Sequence, residues 1–121
     1  MTPVKGVGML NSISTLGTQG GFLAAREAWL KSVLANRLLE GRAKLVAVGI
    51  SFHFNHERWQ RDGKLYAFPR KSVLRVMLGE STSTIKRGLI DLEEAGYLKV
   101  RRRFDENRRQ HTSNLYLAQV P

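Results

Sequence analysis

Hydrophobic residues recur at helical spacing between residues 22 and 56. From Phe22 to Leu39 six apolar residues share roughly one face, which predicts an amphipathic helix that ends at Gly41. These apolar residues are Leu23, Trp29, Leu30, Val33, Leu34 and Leu38. The stretch from Arg42 to His56 carries a wider apolar surface, which predicts a second and largely buried helix.

The pattern is weaker on either side of these two helices. Residues 1–21 contain five glycines among serines and threonines and show no sustained period, so we expect a flexible N-terminal arm. After the second helix, "RDGK" at residues 61–64 predicts a turn. "LYAF" before Pro69 predicts a short extended segment, because the residue ahead of a proline disfavours the helical conformation.

Two further helices follow, separated by one glycine-containing turn. The first runs from Arg70 to Leu78, and Gly79 then supplies a left-handed residue that allows a steep change of direction. The second covers residues 81–95, with Ser81 or Thr82 as its N-cap. Its inward stripe is Ile85, Leu89 and Leu92. Its outward residues are Thr82, Ser83, Lys86, Arg87 and Ile90.

The last part of the chain alternates like a pair of strands. "YLKVRRR" places Leu98 and Val100 on one face, which is the period of a half-buried strand. "FDENRRQHT" is polar and predicts a turn, and "SNLYLAQV" returns with Leu115 and Leu117 expected inside and Tyr116 outside. The expected fold is therefore mainly α with a small antiparallel β-hairpin, an α+β protein.

Charge narrows the range of partners. Twenty Lys and Arg stand against ten Asp and Glu, a net charge of +10, which favours a polyanionic partner and nucleic acid before a membrane. The absence of cysteine excludes a disulfide framework and fits a reducing compartment. Neither a signal peptide nor a long apolar span is recognisable, so we expect a soluble cytoplasmic protein.

The front of the fourth helix and the hairpin after it carry the candidate chemistry. Short polar side chains at the first turn, followed by Lys86 and Arg87, suit a helix that enters a DNA major groove with its N-terminus. From Tyr97 to Asn114 there are six Lys and Arg against two Asp and Glu, a net charge of +4 in 18 residues. A hairpin with that charge is expected over the phosphate backbone or in the adjacent minor groove.

Other candidate sites are less specific. His53 and His56 have a spacing that can hold a metal, but no cysteine and no third ligand accompany them, so a structural role is favoured and no metal or other cofactor is expected. Trp29 is expected to be a packing anchor. Arg101 to Arg103 can alternatively form surface ion pairs with nearby acidic residues. Because no phosphate loop, nucleophile elbow or carboxylate pair is recognisable, we expect no enzymatic activity.

The segment "FPRKSVLRVMLGESTSTIKRGLIDLEEAGYLKVRRR", the polar hairpin and "SNLYL" together resemble the winged helix-turn-helix family of plasmid and phage replication initiators and small bacterial transcriptional regulators. The resemblance covers roughly Arg42 to Val120 and implies a DNA-binding domain over residues 42–121. The chain departs from the family pattern at Arg70, where a capping serine is usual, and at Arg75, where a small residue is usual. Residues 22–40 lie outside the resemblance and form an added N-terminal helix.

The resemblance and the charge pattern together imply a sequence-specific, double-stranded DNA-binding protein of the bacterial nucleoid, acting in transcription regulation or in plasmid replication. The candidate DNA-binding residues are Arg70, Lys71, Ser81, Thr82, Ser83, Thr84, Lys86, Arg87, Arg101, Arg103, Arg108, Arg109, His111 and Asn114. A homodimer through the N-terminal helix is expected, because its apolar face is large for an appended helix. The alternatives are a small basic RNA-binding protein and a winged-helix protein-interaction module.

Overall fold

Five helices and a small antiparallel sheet make up the part of the chain that the structure, a computed structural model, describes. The backbone is described for residues 13–102, 104–105, 110–111 and 114–121, and the side chains for residues 21–102 and 114–121. The helices are α1 (Ile13–Ala35), α2 (Gly41–Ser51), α3 (His56–Asp62), α4 (Lys71–Leu78) and α5 (Thr82–Glu94). The strands are β1 (Tyr66–Ala67), β2 (Leu98–Arg101), β3 (Phe104–Asp105), β4 (Gln110–His111) and β5 (Leu115–Ala118). The predicted α+β class is thus confirmed.

Helix α2 is the central element, because it contacts α1, α4 and α5. Its inward residues are small or β-branched, and Ala43, Val46, Ala47 and Ile50 have no solvent exposure. Small side chains let neighbouring helix backbones approach closely, and the aliphatic ones fill the space that remains. A single hydrophobic core therefore joins α1, α2, α4 and α5 to the base of the sheet.

Two glycines mark close contacts of α2, one with α5 and one with α4. A Cβ atom built on Gly88 of α5 would lie 2.6 Å from Val46 Cγ2 and 2.9 Å from the backbone oxygen of Arg42. A Cβ atom on Gly49 of α2 would lie 3.0 Å from Leu78 Cδ1, which is the end of a more flexible side chain. The contact between α2 and α5 at Gly88 is therefore the tighter of the two.

Glycine turns fix the directions in which the chain leaves α4 and α5. Gly79 has φ of 66°, and the backbone N–H of Glu80 donates to the Arg75 oxygen, so the chain turns sharply before α5 begins at Thr82. Gly96 has φ of 87°, and the N–H of Tyr97 donates to the Leu92 oxygen. This is the hydrogen-bond pattern of a Schellman motif, and it directs the chain from α5 into β2.

The three-stranded sheet has the order β1-β5-β2 and is antiparallel throughout. Leu98 pairs with Ala118 and Val100 with Tyr116, so these four residues share one face of the hairpin formed by β2 and β5. The hairpin continues outward as β3 paired with β4. The sheet lies against the C-terminal half of the helical core, where β2 contacts α5.

Helix α1 folds back onto its own domain. Trp29 is 2% exposed, and its indole N–H lies 3.0 Å from the Tyr97 oxygen and 3.1 Å from the Gln119 oxygen. The same indole ring packs edge-on against Phe54. The prediction of Trp29 as a packing anchor is confirmed, and the helix outside the family resemblance belongs to the common core.

Several predicted boundaries of the N-terminal half are wrong. Helix α1 begins at Ile13 rather than Phe22 and ends at Ala35 rather than Leu39, so the segment from 13 to 21 is helical rather than part of a flexible arm. Residues 1–12 of that predicted arm lie outside the described residues. Gly21, which argued for an arm, lies within α1 beside Trp59, whose ring would be 3.7 Å from an added Cβ, an ordinary van der Waals distance. Glycine is therefore tolerated inside this helix, and its presence did not mark a helix end.

The predicted helix from Arg42 to His56 is shorter than expected, and the short helix α3 that follows it was not predicted. Helix α2 ends at Ser51, and α3 begins after Asn55, whose side chain accepts a hydrogen bond from the Arg58 N–H at 2.9 Å. Helix α3 closes at Gly63, which has φ of 70°. The "RDGK" segment is therefore the end of a helix rather than only a turn. Gly41 is the first residue of α2 and does not end α1, which stops at Ala35.

The alternation predicted for the last strand is also wrong. Tyr116 was expected outside, but it is 1% exposed and faces Val100 and the core, while Val120 is exposed. Leu115 is buried as predicted, although on the opposite face of β5. The short extended segment before Pro69, the helix from residue 71 to 78, the helix from 82 to 94 and the strand from 98 to 101 are confirmed.

Replacing Gly88 with alanine should lower the free energy of unfolding by about 1–3 kcal/mol, because the new methyl group overlaps Val46 and the backbone of α2. Gly41→Ala is the matched control, since an added Cβ there meets nothing within 4 Å, and its effect should stay within about 0.5 kcal/mol. Urea unfolding followed by circular dichroism measures both. Equal stabilities of the two variants would contradict the close approach of α2 and α5.

Candidate nucleic-acid interface

Helix α5 presents two chemically different faces. Ile85, Leu89 and Leu92 are buried against the core, as the sequence predicts. On the opposite side every residue is exposed, and Ile90, an apolar residue on that face, is 46% exposed. The exposed residues are Thr82, Ser83, Lys86, Arg87 and Ile90, followed in the last turn by Glu93 and Glu94. The structure therefore confirms the predicted division of α5 into a core face and a polar outer face.

The N-terminus of α5 is closed by Ser81. Its hydroxyl accepts a hydrogen bond from the Thr84 N–H at 3.2 Å and lies 3.0 Å from the Thr84 hydroxyl. The predicted capping role of Ser81 is thus confirmed. Because Ser81 and Thr84 bond to each other, the hydroxyls of Thr82 and Ser83 are the better placed contacts for a ligand at this helix end.

One ion pair fixes the angle of α5 on the central helix. Arg42 Nε lies 2.8 Å from Asp91 Oδ2, and its Nη2 lies 3.4 Å from Oδ1, so the guanidinium binds both carboxylate oxygens. The hydrogen bond to Asp91 raises the pKa of Arg42 above its ordinary value. This pair lies on the core side of α5 and leaves the outer face unobstructed.

The start of α4 adds cationic side chains to the same region. Arg70 occupies the N-cap position but makes no side-chain capping hydrogen bond, and it is exposed. Arg75 is exposed as well, so neither departure from the family pattern buries a charge. Lys71, the first residue of α4, is half-buried and lies near Lys86 of α5 along one groove.

The cations of the hairpin are divided between its two faces. Arg102 follows Val100 on the side that faces α5, and both line the groove beside Lys86. Arg101 pairs with Leu115 and lies on the other face of β2. Asn114, another predicted site residue, also lines this groove. The structure therefore brings together Lys71, Lys86 and Asn114 and separates Arg101 from them.

Arg102 and Tyr116 are the site residues that the sequence interpretation missed. The signal for Arg102 was present in the alternation of the strand, since residues 98, 100 and 102 share a face. Tyr116 was assigned to the wrong face, so it was not considered. The side chains of four predicted residues, Arg103, Arg108, Arg109 and His111, lie outside the described part of the structure.

Tyr116 connects the groove to the core. Burial raises the pKa of its phenol, while the hydrogen bond with Asn114 and the charge of Arg102 act in the opposite direction and Glu93 adds to the increase. The phenol is therefore neutral at physiological pH and keeps its proton as a hydrogen-bond donor.

Few acidic side chains neutralise these cations. Among the side chains that the structure describes, the ion pairs are Lys31 with Glu27 and Arg42 with Asp91. Lys86, Arg87 and Arg102 are in neither of them. Among these described side chains, Arg101 and Arg102 therefore form no ion pair with Glu93 or Glu94, which was the alternative to DNA binding for these arginines. Their positive charge faces solvent.

His53 in the α2–α3 connection and His56 at the start of α3 are half-buried. The ring of His56 packs 4.9 Å from that of Phe22, and the Nε2 atoms of His53 and His56 are buried without a hydrogen-bond partner. No group of three or more metal-ligating side chains occurs in the described part of the chain. None of the described helices has the length and apolar character needed to cross a membrane.

Comparisons of the chain with protein-family models, with curated proteins and with solved structures find no match. The class and function of the protein are therefore inferred from its residues and their geometry alone.

Replacing Ser81 with alanine should lower the free energy of unfolding by about 1 kcal/mol, because α5 loses its N-cap hydrogen bond. Ser83→Ala removes a hydroxyl from an exposed position of the same helix turn and should change stability by less than about 0.5 kcal/mol. The free energies of unfolding of both variants are measured with guanidinium and show whether Ser81 stabilises the helix end more than an exposed hydroxyl of the same turn does. A destabilisation by Ser83→Ala as large as that by Ser81→Ala would contradict this assignment.

Proposed function

We propose that this protein is a winged helix-turn-helix protein that binds specific sites in double-stranded DNA. Helices α4 and α5 form the helix-turn-helix, α5 is the recognition helix, and the hairpin of β2 and β5 is the wing. The observation that carries the proposal is the outer face of α5, where Lys86 and Arg87 are exposed beside hydroxyl side chains and are in neither ion pair formed among the described side chains.

The dimensions and charge of α5 suit the major groove. An α-helix with its side chains is about 10–12 Å across, close to the roughly 12 Å width of that groove. Arg87 can donate to guanine O6 and N7, Lys86 can reach either a base edge or an adjacent phosphate, and Thr82 and Ser83 can contact phosphate oxygens at the positively polarised helix end. The contact at Gly88 and the Arg42–Asp91 pair hold α5 rigidly, which keeps these donors in register with the bases.

The cationic wing supplies affinity that does not depend on sequence. Arg102 on the face toward α5 can bind the phosphate backbone next to the recognised bases. The remaining predicted wing contacts, Arg101, Arg103, Arg108 and Arg109, stay proposals of the same kind. Binding without catalysis is sufficient for the proposed biological role, which is transcription regulation or recognition of a plasmid or phage replication origin in the bacterial cytoplasm.

The aromatic residues of the sheet favour DNA over RNA as the partner. RNA-recognition sheets expose aromatic rings on which unpaired bases stack. Here Tyr97 and Tyr116 are buried, and the ring of Tyr66 is covered by the guanidinium of Arg58 at 4.5 Å. The described aromatic side chains of the sheet therefore offer little surface for base stacking.

Arg87→Ala should relax the base preference at one position of the site and weaken specific binding by about 1–3 kcal/mol, as expected for the loss of a bidentate contact to guanine. The site is first selected from a random duplex pool, and affinity is then measured by fluorescence anisotropy on the selected and on a scrambled duplex. Arg37→Ala, at an exposed position after α1, is the charge-matched control. Equal weakening of Arg87→Ala on both duplexes would show that Arg87 contacts phosphate only.

A homodimer through α1 is a second part of the proposal, with a smaller interface than the sequence suggested. Trp29 and Val33 are buried within the protomer and are not available for pairing. Leu23 and Leu34 are 44% and 42% exposed, and Leu30 between them is half-buried. These three leucines lie on one side of α1, because they are separated by about two and then one helical turn. They form the stripe that we propose to pair with its symmetry equivalent.

Leu34→Glu combined with Leu23→Glu should convert a dimer to a monomer, because two charges enter the apolar stripe. Light scattering should give twice 13.7 kDa for the wild type and 13.7 kDa for the double variant. Val76→Glu on α4, at a position 75% exposed, is the control and should remain dimeric. A wild type that is monomeric at micromolar concentration, both alone and on DNA, would overturn the pairing but leave the DNA-binding proposal intact.

A further inference from the structure

A small cavity lies where α4, α5 and the hairpin meet. Its volume is about 80 Å³, and six polar residues of α4, α5 and the hairpin line it. They are Lys71, Lys86, Glu93, Arg102, Asn114 and Tyr116. Leu89, Ile90 and Val100 form its apolar floor. We call this cavity the α5–hairpin groove.

The charge of the groove is strongly unbalanced. Three cationic side chains, Lys71, Lys86 and Arg102, face one acidic side chain, Glu93. None of the four belongs to an ion pair formed among the described side chains. Three like charges around one small space repel one another, and an anion between them removes that repulsion.

Neutral hydrogen-bond donors complete the lining. The phenol of Tyr116 is 1% exposed, and Asn114 lines the groove beside it. Because burial raises the pKa of Tyr116, this phenol keeps its proton and does not add negative charge to the groove. The groove therefore combines three charged donors with two neutral ones, and among the described side chains that line it Glu93 is the only acidic one.

The size of the groove limits what it can hold. Its 80 Å³ correspond to only a few water molecules and fall well below the roughly 300–1,000 Å³ of pockets for drug-sized ligands. A nucleobase with its sugar, or an extended organic cofactor, would exceed this volume. A compact oxyanion with several acceptor oxygens matches the space, the charge and the donors.

We propose that the α5–hairpin groove is a phosphate-binding site, in which Lys71, Lys86 and Arg102 bind one phosphate group over the apolar floor. The phosphate group belongs either to a DNA strand or to a free phosphate ion, and the first source rests on the proposed DNA-binding function. In either case Arg102 is the hairpin residue that faces the anion, whereas its neighbour Arg101 lies on the opposite face of the strand.

The first test uses inorganic phosphate without DNA. Phosphate replaces chloride at constant ionic strength and pH 7, and the amide resonances of Asn114 and Tyr116 are followed by NMR. Saturable shifts are expected in the wild type. Arg102→Gln should weaken binding by about three- to tenfold, whereas Arg101→Gln, the matched control, should leave it unchanged. Glu93→Gln should bind about twofold or more tightly, because the acidic repulsion is removed.

The second test uses duplex DNA and separates the two sources of phosphate. Affinity is measured by anisotropy over a range of salt concentrations for the wild type, Arg102→Gln and the exposed control Arg37→Gln. If the groove holds a backbone phosphate, Arg102→Gln should reduce the slope of log affinity against log salt by about 0.9, and Arg37→Gln should leave it unchanged.

The outcomes distinguish the two proposals. Phosphate binding that depends on Arg102 supports the site even if no duplex is bound, in which case only the DNA-binding proposal fails. DNA binding whose salt slope depends on Arg102 supports the site with DNA as the source, even without binding of free phosphate. The phosphate site would be overturned if Arg102→Gln and Arg101→Gln bind free phosphate equally and Arg102→Gln and Arg37→Gln have the same salt slope, including when the protein binds DNA tightly.

Discussion

The close approach of α2 and α5 at Gly88 sets the orientation on which the rest of the structure depends. Without a side chain at Gly88, α5 lies almost against the backbone of Arg42, and Asp91, nearly one turn later, reaches the guanidinium of the same residue. The two contacts fix both the distance between the helices and the rotation of α5 about its axis. That rotation determines which residues of α5 are buried and which face solvent, so the cationic outer face is a consequence of core packing.

The elements that sequence reasoning predicts well are those specified by local signals. Helix α5 has a capping serine, an apolar stripe and a closing glycine within one short segment, and all three signals agree. Helix α4 and β2 are specified in the same way, by Pro69 and Gly79 for the helix and by strict alternation for the strand. Each of these features acts within a few residues of the chain, so the pattern and the structure coincide.

The features that the sequence does not reveal depend on contacts between distant residues. Gly21 resembles a helix breaker until α1 is seen to continue through it and to contact α3. Tyr116 resembles an exterior residue of a strand until Val100 and the core are placed on its side. The α5–hairpin groove arises in the same manner, because the lysine at residue 71 and the arginine at residue 102 become neighbours only after the hairpin folds back over α5.

The indole of Trp29 has a consequence for how the domain opens. Its N–H is shared between the carbonyl groups of Tyr97 and Gln119, which lie at the two ends of the hairpin base, and the N–H of Gln119 also donates to Tyr97. Helix α1 therefore links the two strands of the hairpin at its base through a single side chain. Undocking α1 would leave both carbonyl groups without this donor, so the N-terminal helix and the hairpin should lose protection from amide hydrogen exchange as one cooperative unit rather than separately.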